Sequence, residues 1–470
     1  MILGRRPHVG WPVEAVHPPL KSGSGHGATR SNGRKPGPWA HGTYRHSVRG
    51  WSAPGEPLAW VIWVKLAATR WQNALHETFS ASELQSAWNL ERQRLKSTCY
   101  GIDKISGKQF DAERTWRIPS VKSRRLGSKF VPHPLLAIAK PKEGGGHRII
   151  CVPTIEDRLI QFSILYKIRE PLKNKRLLNS VSYGLVAHSN LTVQDARERA
   201  TVLRENGRWV YKTDIQKFFD KIPRESLESE IKRVVSHRSL HDVLVAFSNV
   251  EIGDGFAADW QNIIKAAGIQ TGLGVRQGMP LSPYFAGILL LKLDRVLEER
   301  RFPVIRYVDD IIGFFNSRRE CEDFDEFLRH ELGKLSLGLG AMDRPDSKTK
   351  IFPPDKPAEF VGMEMRFRES GKCYLSVSEK TLERVEARIH EMTNIDNLLQ
   401  KNITLPFLGA RIEAMSRGFI AAYHGADNMS VLKARVRAAS APVVQYVLED
   451  IFGTTMKSLD RKQRRFLGLE

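Results

Sequence analysis

Two short apolar runs, separated by a pair of acids, dominate the middle of the chain. In residues 305–315, β-branched and aromatic side chains flank Asp309 and Asp310 on both sides. Such side chains favour strands, so the pattern predicts a strand, a tight turn and a second strand. Acids at the tip of a buried hairpin are costly to desolvate, and a divalent metal ion is their natural counter-charge. An ordinary acidic β-turn is the alternative interpretation.

A second apolar strand also ends in an acid. Trp209, Val210 and Tyr211 begin a buried-looking strand that finishes at Asp214, and Pro223 then opens an apolar-striped helix. Asp214 and Asp309 are far apart in the sequence, so only neighbouring strands of one sheet can bring them together. A strand-end acid beside a hairpin-tip acid would make a site for two Mg²⁺ ions about 3.5–4 Å apart.

A glycine-rich basic turn joins two further apolar strands between residues 136 and 153. The segment carries Lys140, Lys142 and Arg148 around three successive glycines. A flexible basic hairpin of this kind can fold over a triphosphate, although a glycine turn between strands is also an ordinary structural feature. This signal is therefore weak when taken alone.

Helical periodicity supplies the other elements. Ser80 and Glu83 form a capping box before an apolar stripe, and one helix is expected from Ser282 to about residue 297. A single short strand is expected at residues 360–363, and the pattern is helical from residue 378 to the end.

The chain divides by composition into three regions. Residues 1–57 are rich in Gly, Pro, Ser, His and Arg and are predicted to be a disordered basic tail. Ordered sequence is expected from Leu58, with one region at 58–377 and a helical region at 378–470. A misplaced start is a second interpretation of the tail, because the methionine after Met1 is Met279; Val61 or Val64 could then be the first residue.

Charge points to a polyanionic partner. The chain has 73 Lys and Arg against 52 Asp and Glu, a formal net charge of +21. Nucleic acid is the leading partner class, with a basic surface kept for solubility as the alternative. The 4 cysteines are scattered without a C-x-x-C pair, which fits a reducing cytosol and argues against a zinc module. No transmembrane run or signal peptide is visible, so no membrane partner is expected.

These motifs closely resemble those of the reverse transcriptases. They stand in the order in which that family carries them, over roughly residues 135–365. The matching segments are Pro153 with Asp157, Arg158 and Gln161; Asp214 with Phe219 and Asp220; Gln277-Gly278-x-Pro280-x-Ser282-Pro283; Tyr307-Val308-Asp309-Asp310; Lys348-Thr349; and Phe360-Val361-Gly362. The resemblance implies an α+β fold of the right-hand polymerase type. Fingers and palm of antiparallel sheet plus helices would occupy residues 58–377, and an α-helical thumb and C-terminal region would occupy residues 378–470.

The resemblance also implies the site residues and the cofactor. Two Mg²⁺ ions would be bound, and Mn²⁺ could substitute for them. The implied residues are Asp214, Asp309 and Asp310 as catalytic; Asp214, Ile215, Asp309 and Asp310 as metal-binding; and Lys140, Arg148, Phe218, Phe219, Gln277, Gly278 and Lys348 as nucleotide-binding.

Several of these roles have alternatives. Phe219 occupies the position of a steric gate against the ribose 2′-hydroxyl, or it is a core phenylalanine. Gln277 lines the nucleotide pocket or caps its loop. Lys140 and Arg148 contact the triphosphate or the template backbone. Lys348 donates a proton to pyrophosphate or is structural.

Within the family, the sequence is most similar to the stand-alone defence-associated reverse transcriptases of bacteria. Arg417-Gly418-Phe419 with Tyr423 is similar to the thumb of group II intron proteins, but the sequence ends at Glu470 without their DNA-binding or nuclease segments. The Val-Thr-Gly element of retron enzymes is absent. The resemblance implies an RNA template (a dedicated non-coding RNA), a DNA product, dNTP substrates and a bacterial cytoplasmic location. A group II intron or retron enzyme, a catalytically inactive binding protein and a homo-oligomer stay open.

Overall fold

The computed structural model describes most of the chain from residue 74 onward. The described ranges are 74–97, 100–126, 130–142, 145–168, 178–183, 192–205, 207–254, 258–345, 347–401, 403–453 and 458–466. These residues all belong to one compact unit. The predicted tail at 1–57, the possible start at Val61 or Val64 and the expected onset of order at Leu58 lie outside the described residues.

Helices surround three sheets. The elements up to the predicted catalytic hairpin are α1 (Ala81–Ser97), α2 (Gly107–Leu126), β1 (Leu136–Pro141), β2 (His147–Val152), α3 (Ile155–Ile168), β3 (Ser182–Tyr183), α4 (Val193–Arg204), β4 (Trp209–Asp214), α5 (Phe218–Lys221), α6 (Arg224–Val234), α7 (His241–Ser248), α8 (Ala258–Ala266), α9 (Ser282–Leu289), α10 (Leu291–Glu299), β5 (Val304–Tyr307) and β6 (Asp310–Phe315). They are followed by α11 (Arg318–Gly333), β7 (Lys350–Phe352), β8 (Ala358–Phe360), β9 (Met363–Phe367), β10 (Cys373–Ser376), α12 (Glu379–His390), α13 (Ile395–Gln400), α14 (Leu405–Ala422), α15 (Met429–Ser440), α16 (Val443–Phe452) and α17 (Arg461–Phe466).

A five-stranded sheet forms the centre of the molecule. Its strand order is β3-β5-β6-β4-β7. Only β3 and β5 run parallel; every other pair in this sheet is antiparallel. The hairpin β5–β6 therefore lies directly beside β4, whose last residue is Asp214. This arrangement puts the two predicted acidic strand ends on neighbouring strands.

The central sheet is buried on both faces. Alternate residues of each strand belong to different hydrophobic cores, because successive side chains of a strand point to opposite faces. On β6, Ile311 and Phe315 pack into one core, and Ile312 and Phe314 pack into the other. Double burial explains why these strands read as continuous apolar runs rather than as an alternating pattern.

Two smaller antiparallel sheets lie beside the central one. The hairpin β1–β2 pairs from Leu136 with Val152 to Pro141 with His147, as the glycine-rich turn predicted. The other sheet has the order β10-β9-β8. The single strand expected at 360–363 is wrong: β8 ends at Phe360 and β9 begins at Met363. Both intervening residues have positive φ, 45° at Val361 and 79° at Gly362, so the chain turns back there.

The single helix expected from Ser282 to about residue 297 is also wrong. Two helices occupy this segment, and Leu290 separates them with φ −85° and ψ 1°. Neither Gly nor Pro stands at the break, and Leu289, Leu290 and Leu291 are all buried. Packing therefore decides the break against a locally helical sequence.

The C-terminal region is helical from Glu379, and Ser378 caps α12 by accepting a hydrogen bond from the Thr381 amide. Strands and helices combine as the sequence predicted, which confirms the α+β fold class. Within the described ranges, no helix is long and apolar enough to cross a membrane.

Candidate active site

Strand pairing brings the three predicted carboxylates together. The Cα of Asp214 at the end of β4 stands opposite that of Asp310 at the start of β6. One residue further on, the amide of Ile215 donates to the carbonyl of Asp309 at 3.1 Å. Because backbone pairing fixes both contacts, the acids meet through the sheet and not through flexible side chains.

The turn that carries Asp309 has an unusual backbone. Tyr307 and Asp310 pair across it, so Val308 and Asp309 form a two-residue turn. Val308 has φ 61°, a left-handed conformation that is costly for a β-branched residue. The Val308 carbonyl accepts a hydrogen bond from Nη1 of Arg306 at 2.8 Å. A side chain of strand β5 therefore stabilises the conformation of the turn.

Arg306 is itself buried, and each of its three side-chain nitrogens donates a hydrogen bond. Its side chain is 0% exposed and pairs with Asp294, which is 1% exposed, through Nε–Oδ1 at 2.6 Å and a second bond from Nη2 to Oδ2. Nη2 also donates to the Ser182 hydroxyl at 2.9 Å. This pair connects the hairpin with α10 and β3.

The carboxylates at the tip lack comparable compensation. Burial raises the pKa of Asp309 to about 7, and the nearby charge of Asp214 adds to the rise. Burial likewise raises the pKa of Asp310 to about 6. Oδ1 of Asp310 is buried and has no hydrogen-bond partner among the described residues. Burial removes the water that would stabilise these carboxylates, and the described protein groups replace it only in part.

Two lysines border the acids. Nζ of Lys348 contacts Oδ2 of Asp214, and Nζ of Lys212 lies 3.9 Å from Oδ2 of Asp310. The sequence predicted Lys348 as a nucleotide-binding residue, and its cation lies at the carboxylates. Lys212 was not predicted. Its position inside the strand that ends in Asp214 is the signal that could have found it.

The donor set fits a hard divalent cation. Asp214, Asp309 and Asp310 supply carboxylate oxygens, the ligands that Mg²⁺ prefers, and one of these oxygens is buried and unpaired. Within the described ranges, no three His, Cys, Asp or Glu side chains already converge as a metal-binding group. Nζ of Lys348 contacts Asp214 in this structure, so a cation that binds Asp214 would take the place of the lysine ammonium group.

The predicted nucleotide-binding residues fall into two environments. Phe218 is 2% exposed and belongs to the core, whereas Phe219 is half-buried beside it, with their ring centroids 5.5 Å apart. On the hairpin β1–β2, Lys140 and Arg148 are register partners; Lys140 is exposed and Arg148 is half-buried. Phe219 and these two cations are therefore accessible, and Phe218 is a packing residue in this structure.

The Gln277–Gly278 loop contacts strand β2. The Cys151 amide donates to the Gln277 carbonyl at 2.6 Å. A Cβ on Gly278, which has φ 111°, would come within 2.5 Å of the Cys151 carbonyl oxygen, so only glycine fits. Burial raises the pKa of nearby Asp220, and Arg276, Lys142 and the Gln277 side chain oppose the rise. Lys142 and Asp220 thus join Gln277 at this loop.

Comparison with known proteins assigns the central segment. Residues 140–365 match the family model described as "Reverse transcriptase (RNA-dependent DNA polymerase)". The segment is therefore a reverse transcriptase domain, and it contains the three carboxylates and every predicted nucleotide-binding residue.

Curated relatives are similar over part of their length. Protein YkfC of Escherichia coli (strain K12) is 25% identical over 209 residues, covering 43% of this chain and 50% of YkfC. The group II intron-encoded protein LtrA of Lactococcus lactis subsp. cremoris is 25% identical over 331 residues, covering 54% of this chain and 50% of LtrA. The chain thus spans about half the length of these two relatives.

Among the solved structures that are similar to this one is that of apo telomerase from Candida tropicalis. The comparison has a TM-score of 0.36 and 13% sequence identity, and it covers 73% of this chain and 69% of that chain. No property of this chain follows from an overall similarity of that size.

Proposed function

We propose that this protein is an RNA-directed DNA polymerase that adds dNMPs to a 3′-hydroxyl with the help of two Mg²⁺ ions. The observation that carries the proposal is the meeting of Asp214, Asp309 and Asp310 at one end of the central sheet. These acids lie inside the segment that matches the reverse transcriptase family. In the proposed architecture, residues 58–377 are fingers and palm and residues 378–470 are thumb and C-terminal region.

Asp214, Asp309 and Asp310, together with Ile215, would hold the ions, and Mn²⁺ could replace Mg²⁺. When bound, such ions lower the pKa of the attacking hydroxyl and neutralise the phosphates. Since the pKa values of Asp309 and Asp310 are raised, these groups lose their protons before they can act as ligands. Lys348, which contacts Asp214, is close enough to the carboxylates to donate a proton to departing pyrophosphate.

Phe219 would exclude ribonucleotides. Its half-buried ring follows Phe218 just after the strand that ends in Asp214, and a bulky ring there collides with a 2′-hydroxyl. We expect Phe219→Val to raise rNTP incorporation relative to dNTP at least about tenfold, because the loss of a steric clash is worth on the order of 1.4 kcal/mol or more. Single-nucleotide incorporation with matched dNTP and rNTP measures this ratio. An unchanged ratio would assign Phe219 to the core.

Primer extension on an RNA template tests the main proposal. Asp309→Asn keeps the shape of the side chain and removes a charged ligand, so we expect incorporation to fall at least about a thousandfold. Asp323→Asn, at an exposed position of α11, is the matched control and keeps full activity. Equal incorporation by wild type and Asp309→Asn would remove Asp309 from the mechanism. No incorporation by any of these proteins, wild type included, would favour a catalytically inactive nucleic-acid-binding protein.

The biological role is proposed on narrower grounds. The motif resemblance favours a bacterial cytoplasmic enzyme that copies a dedicated non-coding RNA in anti-phage defence. The similarity to LtrA favours a group II intron role as the second candidate, and a retron role stays open. Sequencing the nucleic acid that co-purifies with the protein separates them. A single RNA species with its complementary DNA, together with phage protection that Asp309→Asn abolishes, supports defence; intron RNA supports the second candidate.

A further inference from the structure

Helix α4 buries two arginines that form no ion pair with the described residues. Arg197 and Arg204 lie two turns apart and therefore on one face of the helix, and their side chains are 6% and 0% exposed. Both donate their hydrogen bonds to backbone carbonyls. Within the described part of the chain, no carboxylate lies within ion-pair distance of either one. A buried guanidinium without a counter-ion is costly, so its contacts need an explanation.

Arg197 joins segments that are far apart in the sequence. Its Nε and Nη2 donate to the Val361 carbonyl at 3.1 and 2.5 Å. Its Nη1 donates to the Ala422 carbonyl at 2.9 Å. Val361 belongs to the turn between β8 and β9, and Ala422 is the last residue of α14. One side chain therefore connects α4, the β8–β9 turn and the end of α14.

The end of a helix is a favourable place for this cation. The last carbonyls of a helix lack intrahelical donors and carry the negative end of the helix dipole. Desolvation lowers the pKa of Arg197 to about 10, so the side chain is still charged near neutral pH. The α14 carbonyl and the turn carbonyl thus supply the negative potential that a carboxylate would normally provide.

The catalytic hairpin lies next to the same cation. Arg197 lies close enough to the phenol groups of Tyr307 and Tyr423 to oppose the rise that burial causes in the pKa of each. Tyr307 is the last residue of β5, directly before the turn that carries Asp309. Tyr423 follows α14 and is 6% exposed. Arg197 therefore lies between the catalytic hairpin and the C-terminal helices.

Contacts along its length and at its C-terminal end hold α14 in place. Leu408 and Ile412 are the residues of α14 that are buried, whereas Phe407 is 70% exposed. The loop after the helix is fixed to β10, because the Asp427 amide donates to the Leu375 carbonyl at 2.8 Å. The Asn428 side chain also bonds both the amide and the carbonyl of Val377, each at 2.9 Å. Arg197 of α4 adds a further contact to this end of α14 through the Ala422 carbonyl. These contacts together are called the α14 anchor.

We propose that Arg197 is a positioning residue that fixes the end of α14 and the β8–β9 turn relative to the catalytic hairpin, and so sets where a primer–template duplex lies against the carboxylates. The second half of this statement rests on the proposed polymerase function. The first half concerns the protein alone, and the two are measured separately.

Arg204 offers a matched control on the same helix. It donates to the Met365 carbonyl at 2.6 Å and to the Lys356 carbonyl. These contacts tie α4 to the β8–β9 region but do not reach α14. Arg204→Met therefore removes a buried arginine of the same chemistry and leaves the α14 anchor intact.

Hydrogen exchange without nucleic acid tests the coupling. In Arg197→Met we expect faster exchange both at residues 361–363 and at residues 419–426. In Arg204→Met the faster exchange stays within residues 356–367. Unchanged exchange at residues 419–426 in Arg197→Met would overturn the proposal whatever the enzyme does.

Duplex binding tests the consequence. With a fluorescent DNA primer on an RNA template, we expect Arg197→Met to raise the dissociation constant about tenfold, since a hydrogen bond of a charged group is worth about that factor. The KM for dNTP stays within about twofold, and so does the duplex affinity of Arg204→Met. Arg197→Lys, which keeps the charge without the fork, gives an intermediate dissociation constant.

Equal weakening of duplex binding by Arg197→Met and Arg204→Met would overturn the proposal, because it would show only a general loss of stability. An unchanged dissociation constant for Arg197→Met would overturn it as well. If wild type binds no duplex, the proposed function fails; the exchange pattern then decides the coupling by itself.

Discussion

Two sites of the hairpin β5–β6 carry buried charge, and they differ in how completely other groups compensate that charge. One residue pair below the tip, Arg306 forms an almost fully buried ion pair with Asp294 of α10, termed the base here, and Arg306 also bonds Ser182 and the Val308 carbonyl. At the tip, burial raises the pKa values of Asp309 and Asp310, as it does that of Asp294, but Oδ1 of Asp310 has no hydrogen-bond partner in the described part of the chain. The ammonium groups of Lys212 and Lys348, which lie beside Asp310 and Asp214, compensate part of the charge of the tip acids.

This difference separates structural charge from functional charge. A buried ion pair that fills its hydrogen-bonding capacity fixes a geometry and leaves nothing for a ligand. Carboxylates that are desolvated and only partly compensated reduce stability unless a cation arrives. Arg306 also bonds the Val308 carbonyl of the turn. The ion pair of Arg306 with Asp294 therefore fixes the turn that carries Asp309 and Asp310.

Breaking the base should have the largest effect on stability. Arg306→Met leaves Asp294 buried without its cation, so we expect a loss of about 3–5 kcal/mol in the free energy of unfolding. Urea denaturation measures it. The double variant Arg306→Met with Asp294→Leu should recover most of the loss, because both charges are then gone. A loss below about 1 kcal/mol in the single variant would show that the base is not compensated as described.

Neutralising an acid of the tip should raise the free energy of unfolding, whereas the Arg306→Met change lowers it. Asp310→Asn removes a desolvated charge beside two other acids, so without metal we expect a gain on the order of 1–2 kcal/mol in unfolding free energy. The same change should reduce primer extension. Parallel urea melts in the presence of a chelator, with Asp323→Asn as the neutral control, test this trade-off. A variant less stable than wild type would contradict it.

The tip should also give the protein a pH dependence. The folded-state pKa values of Asp309 and Asp310 are raised to about 7 and about 6. Their contribution to stability is present below the ordinary carboxyl pKa of about 4 and is lost as pH rises through these values. With a chelator present, wild type should therefore lose more stability between pH 5 and pH 8 than a double Asp309→Asn, Asp310→Asn variant. Equal losses in these proteins would exclude the tip as the cause.

Exposed charge should contribute least. Arg417 and Glu413 form an ion pair on α14 with side chains 71% and 67% exposed. We expect Glu413→Ala to change the unfolding free energy by at most about 1 kcal/mol, since water screens the pair. The urea melt that detects the Arg306→Met effect serves here too. A larger change would show that burial does not explain the contrast within the hairpin.

The sequence by itself determined the local chemistry. Apolar runs around Asp309 and Asp310, the strand that ends in Asp214 and the glycine turn of β1–β2 were all predictable, because period and turn chemistry are local properties. The order of the motifs also predicted the reverse transcriptase domain that the family model matches. The roles of Phe219, Gln277 and the two cations of β1–β2 stay predictions.

Only the tertiary structure decided which distant groups compensate each other. The pairing of Arg306 with Asp294, the capping of Ala422 by Arg197 and the contact of Lys348 with Asp214 join residues that no periodic pattern relates. The helix break at Leu290, among buried leucines, likewise follows no local signal in the sequence. The physical reason is that local pattern fixes which face of an element is apolar, whereas the partner of a buried charge depends on which faces meet.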